Sequence, residues 1–469
     1  MFGEIDQLEV MKEKLNSVSP SFCLAKWMHV TMHLLNGHTH SCYLPNVHKI
    51  PLEEIAKDPS ALHNTKYKKL QRKKMLTGER PSECAICWNI EDLKGNQISD
   101  RLYRGVDSWT MPFFDQIRKM PWDANVNPTY LEVSFSDKCN FKCSYCSPHV
   151  SSSWLAESKK YGAYELSTGS HQHLGYFKQN DLLGIPEGEP NPYIDAFWKW
   201  WPDLVKHLMF FRITGGEPLL SKHTFRVLEW LNENPQPQLE LSINSNMGVP
   251  QQYLEKFFAA VRPLVDEGKV KNFMLHTSVD TFGAQAEYIR NGLKFEVFDQ
   301  NIRRFLRELP KAQFAFMCTF NSLSIVSYQK FLNWLLELRR EYNNPQRTVL
   351  LDIPHLMAPG FLSAKILPKP YQKLMEKHIL FMRNRMDDNP KYLGFGIRPA
   401  EVDKMRRILE WMRSPNEKEW LTIARKDFYL FFSEHDRRRG TNFLAAFPEM
   451  EDFWQSCRAL TEQSPYAWI

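Results

Sequence analysis

The sequence predicts an α/β fold: a partial (βα)6, TIM-like barrel between a small N-terminal α+β domain and a helical C-terminal region. Three observations carry this. From about residue 130, short strand-like runs alternate with amphipathic helical patterns, the signature of a parallel sheet with right-handed crossovers. Before residue 125, a strict two-residue alternation runs into Asn36-Gly37, a strong hairpin signal. After Pro370 the pattern is mostly helical. The expected regions are 1–125, 126–365 with an insertion at 167–192, and 366–469.

In the first region, Met28, Val30, Met32 and Leu34 fall on one strand face and Trp27, His29, Thr31 and His33 on the other. The chain then turns at Asn36-Gly37 into 38–44, and 59–78 reads as a helix. The barrel strands are expected at 130–135, 208–213, 238–243, 272–279, 313–319 and 348–353, short runs rich in β-branched, aromatic and leucine residues. Helices are expected at 224–232, 253–265, 295–309 and 327–342; in the last, Phe331, Trp334, Leu335 and Leu338 form one apolar stripe. Six such units are too few for an eight-fold barrel and enough for a partial one. Segment 167–192, rich in Gly, Pro, Ser and Asn, reads as an insertion or lid within the first crossover. Further helices are expected at 371–386, 399–412 and 417–432.

The 469 residues are 43% hydrophobic and 24% charged, which excludes a collagen, a disordered chain and a coiled-coil rod. No window approaches a transmembrane span, and the acidic, amphipathic start is not expected to be a signal peptide, so a cytoplasmic location is expected. The net charge of +6 permits an anionic partner without requiring one. The nine cysteines are more telling: a reducing compartment disfavours a disulfide framework, and seven lie in the first third in two groups.

Cys139-Asn-Phe-Lys-Cys143-Ser-Tyr-Cys146 follows directly on the first barrel strand. Three thiolates in one loop can hold three irons of a 4Fe–4S cluster and leave the fourth without a protein ligand. A zinc site with a distant fourth ligand, or core cysteines, are the alternatives on spacing alone.

At this point the chain resembles the radical S-adenosylmethionine (SAM) superfamily. The next strand ends in Thr214-Gly215-Gly216-Glu217-Pro218, similar to the family's GGEP motif, which meets the SAM amino group. The third ends in Ser242-Ile243-Asn244-Ser245-Asn246, similar to the family's polar, ribose-contacting strand end. The fourth ends in Ser278-Val279-Asp280, followed by Tyr288-Ile289-Arg290-Asn291-Gly292, which resembles an S-x-D…R-x-G pattern with Asn291 between arginine and glycine. Tyr145 sits where the family places an aromatic beside the adenine. The resemblance implies a catalytic 4Fe–4S cluster on Cys139, Cys143 and Cys146, and SAM held by Tyr145, Gly215, Gly216, Glu217, Pro218, Asn244, Asn246, Ser278, Asp280 and Arg290. It implies reductive SAM cleavage to a 5′-deoxyadenosyl radical that abstracts hydrogen from a substrate, with electrons from a flavodoxin- or ferredoxin-like donor. A site this reactive needs cover, and 167–192 and both terminal regions are candidates for it.

The second group is Cys23, Cys42, Cys84 and Cys87. The hairpin returns Cys42 towards Cys23, and four thiolates suit a tetrahedral zinc or a fully ligated 4Fe–4S cluster. The order of these residues resembles the SPASM/twitch auxiliary-cluster domain, here placed before the barrel rather than after it, and four cysteines match the single-cluster twitch form. Relatives with such domains often modify peptides, so the resemblance implies a peptide or protein substrate. A small molecule or RNA substrate, or a non-enzymatic iron–sulfur or zinc protein, are the alternatives. No membrane partner is expected, and no recognised nucleic-acid-binding module is present.

The remaining features carry less. His29 and His33 have helical zinc spacing but lie on a strand, about 13 Å apart, so solvated or core-lining histidines are expected from His29 to His48. The helix at 66–74 carries six basic residues, a solvated face or an anionic docking surface. Cys457 reads as a buried hydrophobe. Cys318, Asp352 and His355, at later strand ends, are weak catalytic candidates.

Overall fold

The computed structural model describes residues 2–94, 97–186, 188–387 and 394–462. Met1, 95–96, 187, 388–393 and 463–469, which fall within the three expected regions and the insertion, lie outside the described residues.

A nine-stranded sheet organises the described chain. Its strands are β1 (His29–His33), β2 (His38–His40), β3 (His48–Lys49), β4 (Tyr130–Ser134), β5 (Phe210–Thr214), β6 (Gln236–Ser245), β7 (Val270–Ser278), β8 (Gln313–Met317) and β9 (Val349–Asp352). The order is β9-β8-β7-β6-β5-β4-β1-β2-β3. The six expected barrel strands are present and parallel, with helices Lys222–Glu233, Gln251–Asp266, Phe295–Glu308 and Tyr328–Tyr342 between them, an arrangement compatible with a partial barrel.

The N-terminal hairpin does not stand apart. β1 lies parallel to β4 in the register His29↔Tyr130 to His33↔Ser134, so it is a seventh parallel strand, and β2 and β3 continue the sheet antiparallel. A division at residue 125 therefore crosses one continuous sheet. Trp27 and Met28, expected in the strand, form a helical turn, Ala25–Met28.

One sheet face is packed against the helices. Leu131, Val133, Phe211, Ile213, Leu241, Ile243 and Leu275 share a core with helix residues such as Leu228, Phe257, Ile302, Phe305 and Leu335. Each such side chain contributes about 1.5–3 kcal/mol on burial. The alternate residues, among them Glu132, Arg212, Asn244, His276 and Asp352, are half-buried on the opposite face. The strands are thus not apolar on both sides; the inner face is a polar trough. The N-terminal region adds a second, smaller core built on Leu15, Phe22, Trp27, Trp88, Trp109 and Phe114.

The expected helix at 59–78 is broken in two. Asp58 caps a 3-10 turn, Pro59–Leu62, and Thr65 caps the helix Lys66–Leu76. Its basic residues are not one solvated face: Arg72 is fully buried against His63 and Asn64, and Lys68, 1% exposed, donates from Nζ to Thr39 Oγ1 (2.8 Å). Only Lys66, Lys73 and Lys74 of the six are well exposed, which weakens the docking-surface expectation.

The C-terminal region is helical as expected, with Lys369–Arg383, Pro399–Arg413 and Lys418–Arg439, and adds an unforeseen helix, Glu451–Glu462. Segment 167–192 contributes the strand Gly169–His171, which pairs with Tyr164–Leu166, and the helix Leu174–Gln179. No described helix is long and apolar enough to cross a membrane.

Burial pushes the Lys68 ammonium well below its ordinary range. Lys68→Met, which removes a desolvated amine at similar volume, is expected to raise thermal stability by about 1 kcal/mol, read as an increase in Tm at neutral pH.

Candidate active site

The cysteine loop is fastened to three strand ends. Lys142–Cys143 pairs antiparallel with Arg290–Asn291, and the Ser144 N–H donates to the Ile289 carbonyl (2.8 Å). Asn140 donates to the Gly248 carbonyl (2.8 Å) and accepts from Asn246 Nδ2 (2.9 Å). Phe141 is buried between Gly248 and Gly292. Gly292 has φ +111°, and a Cβ there would fall 2.8 Å from Phe141 Cδ1 and 2.9 Å from the Asn140 carbonyl oxygen.

The Gly215-Gly216 turn docks on the same loop from the other side. A Cβ on Gly216 would lie 2.3 Å from the Lys138 carbonyl oxygen. The close approach these glycines permit is thus to the segment leading into Cys139. Glu217 is buried and fully engaged: it accepts from Leu219 N (3.0 Å), Ser245 Oγ (2.8 Å) and Asn246 N (2.6 Å). Burial pushes its carboxyl up to about 7, against those three donors. Glu217 therefore ties the β5 end to the β6 end, and Pro218 starts the 3-10 turn behind it.

Asp280 is likewise enclosed. Tyr145 donates its hydroxyl to the Asp280 carboxylate (3.0 Å), Arg290 Nη2 donates to Oδ1 (3.1 Å), and Arg290 Nε lies 2.8 Å from Oδ2. Burial alone would lower the Arg290 pKa, but Asp280, Tyr145 and Cys143 hold it well above its ordinary value. Arg290 Nη1 donates to Cys143 Sγ (3.6 Å) and the Phe141 N–H to Cys139 Sγ (3.4 Å).

A cavity of about 420 Å³ opens among these parts. Cys139, Cys143, Cys146, Tyr145, Gly215, Gly216, Asn244, Asn246, Ser278 and Arg290 line it. Glu217, Pro218 and Asp280 do not; they stand behind the lining and position it. Thr214 and Ser245, which stand within the motifs but were given no role, also line it, as do Thr319 and His149, which the sequence reading missed. The insertion reaches the loop: Gln172 donates to the Cys146 carbonyl (2.8 Å), and Phe177 stacks on His149 at 5.2 Å. Cys318 is fully buried with its thiol towards the Asp280 carbonyl (3.5 Å), Asp352 is paired with Lys404, and His355 rests on Trp411 (4.6 Å); none lines this cavity.

The donor set fits an iron–sulfur cluster. Burial pushes the Cys139 and Cys146 thiols up to about 12, so three thiolates here need compensating positive charge, which a metal centre supplies.

The second cysteine group also converges. Cys23, Cys42, Cys84 and Cys87 line one small cavity of about 30 Å³, together with Lys26, Arg101 and Arg104. Cys42 is turned into it with φ +64°, a conformation rare outside glycine. Burial pushes Cys23 up to about 12 and Cys87 up to about 11. Lys26, whose charge is reinforced by Cys84 and Glu83, compensates Cys42 and Cys84, and Arg101 compensates Cys23; no sequence spacing announced either. Among the described residues no three His, Cys, Asp or Glu side chains are close enough to hold a single metal ion as they stand. His29, His38 and His40 are buried rather than solvated, and burial lowers His33 to about 4 and His40 to about 3, so both rings are neutral at pH 7.

No family model matches the chain. It is similar to curated proteins named GTP 3',8-cyclase. The one from Rhizobium meliloti is 28% identical over 182 residues, 38% of each chain. The one from Pasteurella multocida is 26% identical over 193 residues, 39% of this chain and 47% of its own. The one from Campylobacter lari is 28% identical over 123 residues, 26% and 29%. The chain thus spans less than half the length of these relatives, which are radical SAM enzymes. With the motif residues gathered at one cavity, the similarity supports the radical SAM superfamily.

Gly292→Ala is expected to displace Phe141 and the cysteine loop, at a cost of about 1–3 kcal/mol, and to lower iron uptake after anaerobic reconstitution. Tm and iron content check this.

Proposed function

We propose that this chain is a radical SAM enzyme that abstracts hydrogen from a peptide or protein, with Cys23, Cys42, Cys84 and Cys87 holding an auxiliary 4Fe–4S cluster. The observation that carries the reading is the convergence of Cys139, Cys143, Cys146, the Gly215-Gly216 turn and Arg290 on one cavity. Bound there, a reduced 4Fe–4S cluster with SAM supplies a 5′-deoxyadenosyl radical.

The chain's own residues hold, orient and shield. Cys139, Cys143 and Cys146 hold the cluster. Tyr145 and Arg290, locked by Asp280, present an aromatic face and a cation to SAM, and Asn244, Asn246 and Ser278 offer it polar contacts. Gln172 and Phe177 bring the insertion over the loop, where it limits water access. The twitch-like cysteine order and the half-accessible trough beside it support an extended substrate. Electrons come from a flavodoxin- or ferredoxin-like donor, and the unpaired cysteines suit the cytoplasm.

A second reading, a small anionic substrate, is favoured by Arg212. Its guanidinium stands in the trough next to the cavity, with Nε held by Asn244 Oδ1 (3.0 Å) and 4.0 Å from Glu132 Oε2. The relatives' printed name, GTP 3',8-cyclase, points the same way.

Reconstituted protein is expected to hold about eight irons per chain, against about four if the N-terminal site takes zinc. Cys143→Ala is expected to abolish 5′-deoxyadenosine formation, whereas Cys84→Ala spares it and blocks substrate conversion. A wild-type protein that forms no 5′-deoxyadenosine when reduced with SAM sinks the proposal. Mass spectrometry of peptide and nucleotide pools after turnover separates the two substrates; loss of the conversion in Arg212→Gln favours the anionic one.

A further inference from the structure

The cysteine loop is gripped from outside by the last turn of the long C-terminal helix. Lys418–Arg439 ends at Gly440, in the left-handed conformation at φ +65°, and that stop delivers Arg439 to the back of the loop. Arg439 is 1% exposed on its side chain and its partner Glu157 2%. Arg439 Nη1 donates to the Lys142 carbonyl (2.8 Å), and Nε and Nη2 donate to the two Glu157 oxygens (3.0 and 3.2 Å). Lys142 Nζ donates to Glu157 from the other side (2.8 Å), and Tyr164 adds its hydroxyl (2.6 Å). Trp154, beneath the guanidinium at 4.8 Å, donates Nε1 to the Cys143 carbonyl (2.8 Å). The carbonyls of Lys142 and Cys143 are therefore both held by side chains that never touch the cavity.

This cluster carries charge as well as shape. Burial alone would raise the Glu157 carboxyl, but Arg439, Lys142 and Tyr164 bring it down to about 2, so it is ionised. The buried Arg439 and the partly exposed Lys142 against one buried anion, Glu157, leave a net positive charge in this cluster behind Cys143. Arg290 and Asp280, on the cavity side of the same sulfur, cancel each other. A positive charge in a low-dielectric surround stabilises an added electron nearby. Charge and hydrogen bonding around cluster sulfurs set reduction potential.

We propose that Arg439, Lys142 and Glu157 are positioning residues that set the reduction potential of the cluster held by Cys139, Cys143 and Cys146, Arg439 and Lys142 raising it and Glu157 lowering it. This rests on the radical SAM reading above. The C-terminal helix is then part of the redox centre, although it supplies no ligand and no cavity residue.

The test is a redox titration of reconstituted full-length protein, followed by the EPR signal that changes on adding SAM, which separates this cluster from the N-terminal site. Arg439→Gln and Lys142→Gln are expected to move the midpoint to more negative potential, Glu157→Gln to less negative, and Arg439→Lys to stay near wild type. A purely structural brace would move all of them together or none. Shifts of one sign throughout, no shift, or Arg439→Lys behaving like Arg439→Gln each overturn the proposal. Where the buried variants do not fold, Lys142→Gln decides, because that side chain is 26% exposed: a lowered midpoint supports the proposal and an unchanged one overturns it. Wild-type protein that shows no SAM-responsive signal defeats the radical SAM reading itself, which is a separate outcome.

Discussion

The buried ion pair between Asp280 and Arg290 is the contact on which the site depends. It joins the end of β7, the residue that ends the short helix Gly283–Ile289, and the cysteine loop. Two charges so far from water are costly unless both are fully engaged. Here the carboxylate takes Tyr145 and Arg290, and the guanidinium reaches on to the Cys143 sulfur. Around it, the Arg290–Asn291 strand pairs with Lys142–Cys143, Phe141 seats between two glycines, and the Gly215-Gly216 turn, tied back by Glu217, closes on the other flank.

Much of this was legible in the sequence because the features are local. The six barrel strands and their helices follow from periodicity, and the cavity residues lie at strand ends that carry recognisable motifs. What was not legible is long-range. Glu217 and Asp280 sit in the motifs yet face away from the cavity, because only the fold says which side of a strand end is inward. Lys26, Arg101 and Arg439 are basic residues with no spacing signal, drawn to buried thiols and carbonyls by tertiary contact alone. Lys68 and Arg72 were misread as surface charge for the same reason: a basic run looks identical whether its alternate members point out or in.

The alternation at 27–34 shows a related limit. Two-residue periodicity ordinarily means one wet face and one dry one. On β1 both faces are covered, Val30 and Met32 by the main core and His29 and Thr31 within the trough. The hydrophobic pattern located the strand correctly but could not name its neighbour, since β4 lies about a hundred residues downstream.

That pairing also bears on how the molecule is made. β1 leaves the ribosome well before β4, and until β4 arrives it is an edge without a partner, carrying the hairpin that holds Cys42. The four N-terminal cysteines are all made before β4, although Tyr130, Met209 and Phe210 later pack on their small core, whereas the central three wait for Arg290 to be synthesised. The residues of the two cysteine sites are thereby completed in order along the chain, the outer set first and the central set only with Arg290.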